Sequence, residues 1–117
     1  MVFDKYVELE INGKKHKLCY PTKYVWKLER DISSGNILVM VSQAGNGIPP
    51  TLHDMFLLIT YALMGGNPKL TEEDAEELYL EAVSEMTILE LTNLAMQALQ
   101  KSGVLGQEKK APAAPKA

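Results

Sequence analysis

Few residues in this chain are equipped for covalent chemistry: two histidines, one cysteine, and carboxylates set mostly at helical spacing. Hydrolysis or group transfer needs a nucleophile, a base and an electrophilic partner that converge on one point. His16 and Cys19 are three apart in a segment that reads as a strand, so their side chains leave opposite faces and form no nucleophile–base pair. They are expected as a half-buried histidine and a small core cysteine. His53 has Leu57 at i+4, where a helical metal site would place its second ligand. A lone cysteine closes no internal disulfide and supplies no thiolate cluster. Gly45-Asn46-Gly47 suggests a phosphate cradle, but Ile48-Pro49-Pro50 stands where such a loop needs Lys-Ser/Thr, and proline donates no amide. No catalytic residue, cofactor or metal ligand is assigned, and the chain is expected not to be an enzyme.

Charge distribution says more than any motif. Glu72, Glu73, Asp74, Glu76, Glu77, Glu81, Glu85 and Glu90 are eight of the fifteen acidic residues, and no Lys or Arg lies among them. Residues 1–35 instead carry Lys5, Lys14, Lys15, Lys17, Lys23, Lys27 and Arg30 against five acidic groups. Such a run is either a solvated helix face or an anionic docking surface. Met40, Met55, Met64, Met86 and Met96 are either core filler or part of an adaptable apolar binding surface. On the docking reading the partner-binding candidates are Glu72, Glu73, Glu76, Glu77, Glu81, Met86 and Met96.

At 117 residues, 46% hydrophobic and 23% charged, the chain has the size and composition of one globular domain. A net charge of −3 argues against nucleic acid as the partner. No window approaches a membrane span, and Met1-Val2-Phe3-Asp4-Lys5 lacks the layout of a signal peptide, so a cytoplasmic protein is expected.

Asn12-Gly13 between alternating residues predicts a β-hairpin over 6–20. A two-residue loop sets Ile11 opposite Lys14, Glu10 opposite Lys15, Leu9 opposite His16, Glu8 opposite Lys17 and Val7 opposite Leu18. One face then carries Val7, Leu9, Ile11, His16 and Leu18, and the other carries Glu8/Lys17 and Glu10/Lys15. An isolated hairpin is marginal in water, so its apolar face must pack on the helices that follow.

Pro21 ends the second strand, and Thr22 is expected to cap a helix over about 23–32 with Val25, Leu28 and Ile32 buried. Ile37 to Val41 stays open: its β-branched residues suggest a strand, while Asn36 could cap a helical turn. Ala44 to Pro50 reads as a loop, after which Thr51 caps a helix over 52–64 whose inner face includes Leu52, Met55, Phe56, Ile59, Ala62 and Leu63. Gly65-Gly66-Asn67-Pro68 is expected to stop it. Thr71 and Thr87, each followed by acidic residues, start helices over 72–85 and 88–101. The expected fold is therefore α+β, a hairpin on a bundle of about four helices within 1–105, followed by a disordered tail over 106–117.

Three stretches give the chain a likeness. They are the strand–Asn-Gly–strand running into a helix with Lys27-Leu28-Glu29-Arg30-Asp31-Ile32, the helix end Leu63-Met64-Gly65, and the helix start Pro68-Lys69-Leu70-Thr71-Glu72-Glu73-Asp74. In these it resembles the tail assembly chaperones of long-tailed phages, prophages and gene transfer agents, over about Tyr6 to Leu99. The Gly45 to Pro50 loop departs from that pattern. The resemblance implies a non-enzymatic protein of the bacterial cytoplasm that binds the tape measure protein, keeps it soluble and helps recruit tail tube protein, with self-association a further expectation. A structural subunit of a phage tail or related particle, its hairpin pairing edge to edge with a neighbour, is the alternative.

Overall fold

The computed structural model describes residues 5–103, and the tail expected over 106–117 lies outside them. The chain runs β1 (Tyr6–Ile11), β2 (Lys14–Cys19), α1 (Thr22–Asp31), α2 (Ile37–Gly45), α3 (Leu52–Gly66), α4 (Glu72–Glu85) and α5 (Ile88–Lys101). It is an α+β fold in which an N-terminal antiparallel hairpin packs on five helices.

The hairpin has the expected register, from Val7 opposite Leu18 to Ile11 opposite Lys14. Both turn residues, Asn12 (φ 54°) and Gly13 (φ 77°), are left-handed, as a two-residue turn matched to strand twist demands. Leu9, Ile11 and Leu18 are buried, while Glu8, Glu10, Lys15 and Lys17 face solvent. Lys17 Nζ also sits over the Tyr6 ring, 4.6 Å from its centre.

Helix α3 is the axis of the molecule. It packs against β2, α1, α4 and α5, and every residue from Leu57 to Met64 is buried, as befits a helix apolar around most of its circumference. Thr60 is accommodated there because its hydroxyl donates back to the Phe56 carbonyl at 2.9 Å. The Tyr20 hydroxyl donates to the Leu58 carbonyl and fixes the end of the hairpin to α3.

Four expectations need correction, and one open segment is decided. Thr22 is not a cap: Pro21 takes that position, its carbonyl accepting from Tyr24 N at 2.9 Å, and α1 starts with no side-chain cap. The open segment is a helix, α2, because the Asn36 side chain accepts from Val39 N at 3.2 Å. Its last residue is Gly45, so the loop begins only at Asn46. Gly65 and Gly66 do not stop α3 but belong to it. Strand β2 crosses so closely that a Cβ on Gly65 would overlap the Cys19 carbonyl oxygen, and one on Gly66 the Lys17 carbonyl oxygen. Leu52 is 69% exposed rather than on the inner face, while Asp54 and Met55 of the same turn are buried.

Helices α4 and α5 both open with full capping boxes, Thr71 with Asp74 and Thr87 with Glu90. Ala75 and Ala82 of α4 and Leu91, Ala95, Ala98 and Leu99 of α5 are buried in the common core. Among the described residues no helix is long and apolar enough to cross a membrane.

Candidate functional site

The acidic helix does not present one uniform face. Its carboxylates divide by the direction in which the turns of α4 aim them. Asp74 and Glu90 are used as caps, accepting from Thr71 N at 3.1 Å and Thr87 N at 3.0 Å. Glu85 accepts from the backbone N–H of Asn12 at 2.9 Å, and Glu81 accepts from the Asn12 side-chain amide at 3.0 Å. These two carboxylates therefore clasp the hairpin turn, and charge-assisted bonds of this kind are stronger than neutral ones. Glu77 and Glu81 line a cleft of about 410 Å³ between α4 and the hairpin, with Ile11, Leu70 and Leu78 as apolar wall. Glu72 and Glu76 lie on the other side of the helix, at a recess floored by Phe56, Thr60, Tyr61 and Met64. Glu73 and Leu80 point outward, Leu80 being 63% exposed.

The two candidate methionines part company. Met86 caps the C-terminal end of α4 and packs, half-buried, on the core. Met96 lies on α5 in an apolar groove of about 370 Å³, with Ala44, Gly47, Pro49 and Pro50 on one side, Met55 from α3, and Leu89 and Thr92 from α5. The seven residues singled out in the sequence are thus spread over several surfaces rather than gathered at one.

The groove beside Met96 is not among the sites expected from the sequence, although a signal for it is there. Residues 32–52 contain no charged side chain at all, in a chain of which 23% is charged. Helix α2, at the centre of that stretch, makes only sparse contact with the other elements. It buries Ile37 and Met40 but leaves Leu38 at 62% and Val39 at 40% exposure, and Ile48 in the following loop is 55% exposed. Leu38, Val39 and Ile48 are thus apolar side chains left in water within a segment that has no charge of its own.

What holds this uncharged segment in place is a buried carboxylate that the sequence pattern does not single out. Asp54 accepts from Ser33 N at 2.9 Å and from the Ser33 hydroxyl at 2.8 Å, while its own N–H donates to the Thr51 hydroxyl at 3.1 Å. A negative charge in the first turn of α3 also suits the positive end of the helix. The turn leading into α2 is thereby tied to the start of α3. Glu29 adds a second tie, accepting from Ile37 N at 3.2 Å.

His16 is half-buried as expected, and its ring Nε2 is buried without a hydrogen-bond partner. Asp31 accepts from Arg30 at 2.8 Å and from the Tyr61 hydroxyl at 2.6 Å, and these bonds, Arg30 foremost, bring its carboxyl down to about 2. Burial, followed by the bond to Asp31, pushes the Tyr61 hydroxyl up to about 12. Burial also raises the half-buried Cys19 thiol, which makes it a poorer nucleophile. Among the described residues no group of three or more His, Cys, Asp or Glu side chains is placed to hold a metal ion. Comparison with protein-family models, curated proteins and solved structures finds no match for this chain.

Proposed function

We propose that this protein is a non-enzymatic assembly chaperone of the long-tailed phage type, acting in the bacterial cytoplasm. It binds apolar helical segments of a tape measure protein, keeps them soluble and helps recruit tail tube subunits. The observation that carries the reading is the uncharged groove between the 46–50 loop and α5, which the exposed Leu89 helps to line. An amphipathic helix lays its apolar side chains into such a groove, and methionines at positions 55 and 96 can repack around different side chains. No reacting group is needed for that task. The likeness of the hairpin, the Leu63-Met64-Gly65 helix end and the Pro68-to-Asp74 helix start to tail assembly chaperones supports the same reading.

The acidic helix has a smaller part in this proposal than its charge alone suggests, because Asp74, Glu81, Glu85 and Glu90 are occupied within the fold. The test is co-expression with the tape measure protein of the same particle, followed by pull-down and a measurement of how much of the partner stays soluble. Wild-type protein is expected to hold it in solution, and Leu89→Asp to lose it while remaining folded. A tape measure protein that is equally insoluble with and without this chain, together with recovery of the chain in finished particles, would favour a structural subunit instead.

A further inference from the structure

A different face of the molecule, independent of the groove on α5, runs from α1 across Tyr61 to α4. Tyr61 of α3, although only 8% exposed, lies between α1 and α4 and touches both. Its ring packs against Tyr24 of α1 at 6.1 Å between centres, and its hydroxyl donates to Asp31 of α1. The same tyrosine lines the recess that Glu72 and Glu76 of α4 border, a hollow of about 110 Å³ floored also by Phe56, Thr60 and Met64. On the α1 side, the amino groups of Lys23 and Lys27 each lie 5.3 Å from the centre of the Tyr24 ring. Crossing from α1 to α4, the charged groups pass from Lys23 and Lys27, through the Arg30–Asp31 pair beside Tyr61, to Glu72 and Glu76.

That order matters because of symmetry. A two-fold interface brings each patch against the rotated image of the same surface, so a face of one sign repels itself, while a face positive on one side and negative on the other attracts itself. We propose that this chain forms a two-fold dimer through the α1–α3–α4 face, with Lys23 and Lys27 of each copy set against Glu72 and Glu76 of the other and the Tyr24–Tyr61 strip at the axis. The contact is made twice, once on each side of the axis. The outer side of α4, with Glu73 and the exposed Leu80, cannot serve in this way, since its own image would oppose carboxylate to carboxylate.

Sedimentation of the full chain over a range of concentrations tests the proposal. Wild-type protein is expected to show a monomer–dimer equilibrium whose association falls about tenfold or more on going from low to high salt, as for contacts between solvent-accessible charges. The pair Lys23→Glu with Lys27→Glu should abolish dimers, and so should the pair Glu72→Lys with Glu76→Lys, each with unchanged circular dichroism. At these four positions one double variant is all acidic and the other all basic, so mixing them should restore a 1:1 dimer. Wild-type protein that stays monomeric, dimers that survive both reversals, or dimers lost instead on Leu38→Asp would overturn the proposal. A mixture that grows into chains longer than two would overturn it as well, since only a two-fold contact closes on itself.

Discussion

Helix α4 and the segment from Ile32 to Leu52 are opposites in charge, and opposites also in how much of their surface the fold consumes. The helix holds seven of the fifteen acidic residues between Glu72 and Glu85, yet three of them are spent inside the molecule. Asp74 caps its own helix, and Glu81 and Glu85 grip the hairpin turn. The uncharged segment contributes little to the common core, because only Ile32, Ile37 and Met40 are buried there, and it leaves Leu38, Val39, Ile48 and Leu52 in water. A run of like charge is conspicuous in a sequence but is readily absorbed by caps and backbone amides. A run without charge is inconspicuous, and what its exposed apolar side chains do is decided by the surface they lie on.

The largest effect that would sharpen this contrast is expected at Asp54, the anchor of the uncharged segment. Asp54→Ala removes both bonds to Ser33 at once and leaves a backbone N–H without its partner, which should cost about 2–3 kcal/mol in urea unfolding. Amide exchange should rise first in α2, since that helix has few other ties. A loss below about 1 kcal/mol would show that α2 is held by its apolar contacts alone, given the usual net worth of a single hydrogen bond.

The carboxylates of α4 should separate into two classes when removed singly. Glu85→Ala releases the Asn12 amide to solvent and is expected to cost about 1 kcal/mol, whereas Glu76→Ala should change stability by less than about 0.5 kcal/mol. Equal effects in thermal or chemical melts would erase the distinction between clasping and outward-facing charge.

Much of this arrangement is legible in the amino-acid sequence itself. The hairpin register follows from Asn12-Gly13, because a two-residue turn leaves one pairing that keeps Glu8 and Glu10 off the core. The caps Thr51, Thr71 and Thr87 are legible for a similar reason: each is a local device that needs only its next three residues. Where local pattern misleads, the deciding partner lies far along the chain. Gly65-Gly66 has the composition of a helix stop, and only the passage of β2 across α3 reveals that the glycines admit a strand backbone. Glu81 and Glu85 look uncompensated in sequence because Asn12, which they bind, is about seventy residues away. Segment 37–41 is ambiguous because β-branched content and an N-cap asparagine point to different elements, and the cap prevails.

A carboxylate on α1 extends the comparison to acid, with a smaller expected effect. Asp31 sits at about 2 in the folded protein, below the ordinary 3.8, because Arg30 and Tyr61 stabilise its charged form. Its contribution is therefore complete above pH 4 and is lost as the pH falls toward 2. Asp31→Asn should flatten the stability profile in that window and leave it unchanged near neutrality apart from a constant offset. The effect is expected to be modest, since the Arg30 side of the pair is open to solvent screening. A profile that keeps its full slope after the substitution would show that Asp31 is not the source of the acid sensitivity.

The smallest effect on stability is expected where the effect on function is largest. Leu89 is 59% exposed and lines the groove, so replacing it with aspartate adds a solvated charge to a surface that water already reaches. Stability should shift by less than about 0.5 kcal/mol. Partner binding should fall by about tenfold or more, because a helix seated in the groove would have to bury that charge without a counter-ion. Salt then separates the two surfaces. Binding through the uncharged groove should change little between low and high ionic strength, and charge reversal at Glu76 and Glu77 should leave it intact. If titration of the tape measure protein instead shows affinity falling steeply with salt and lost on reversing Glu76 and Glu77, the working surface is the acidic helix, and the uncharged segment is there to be covered by something else.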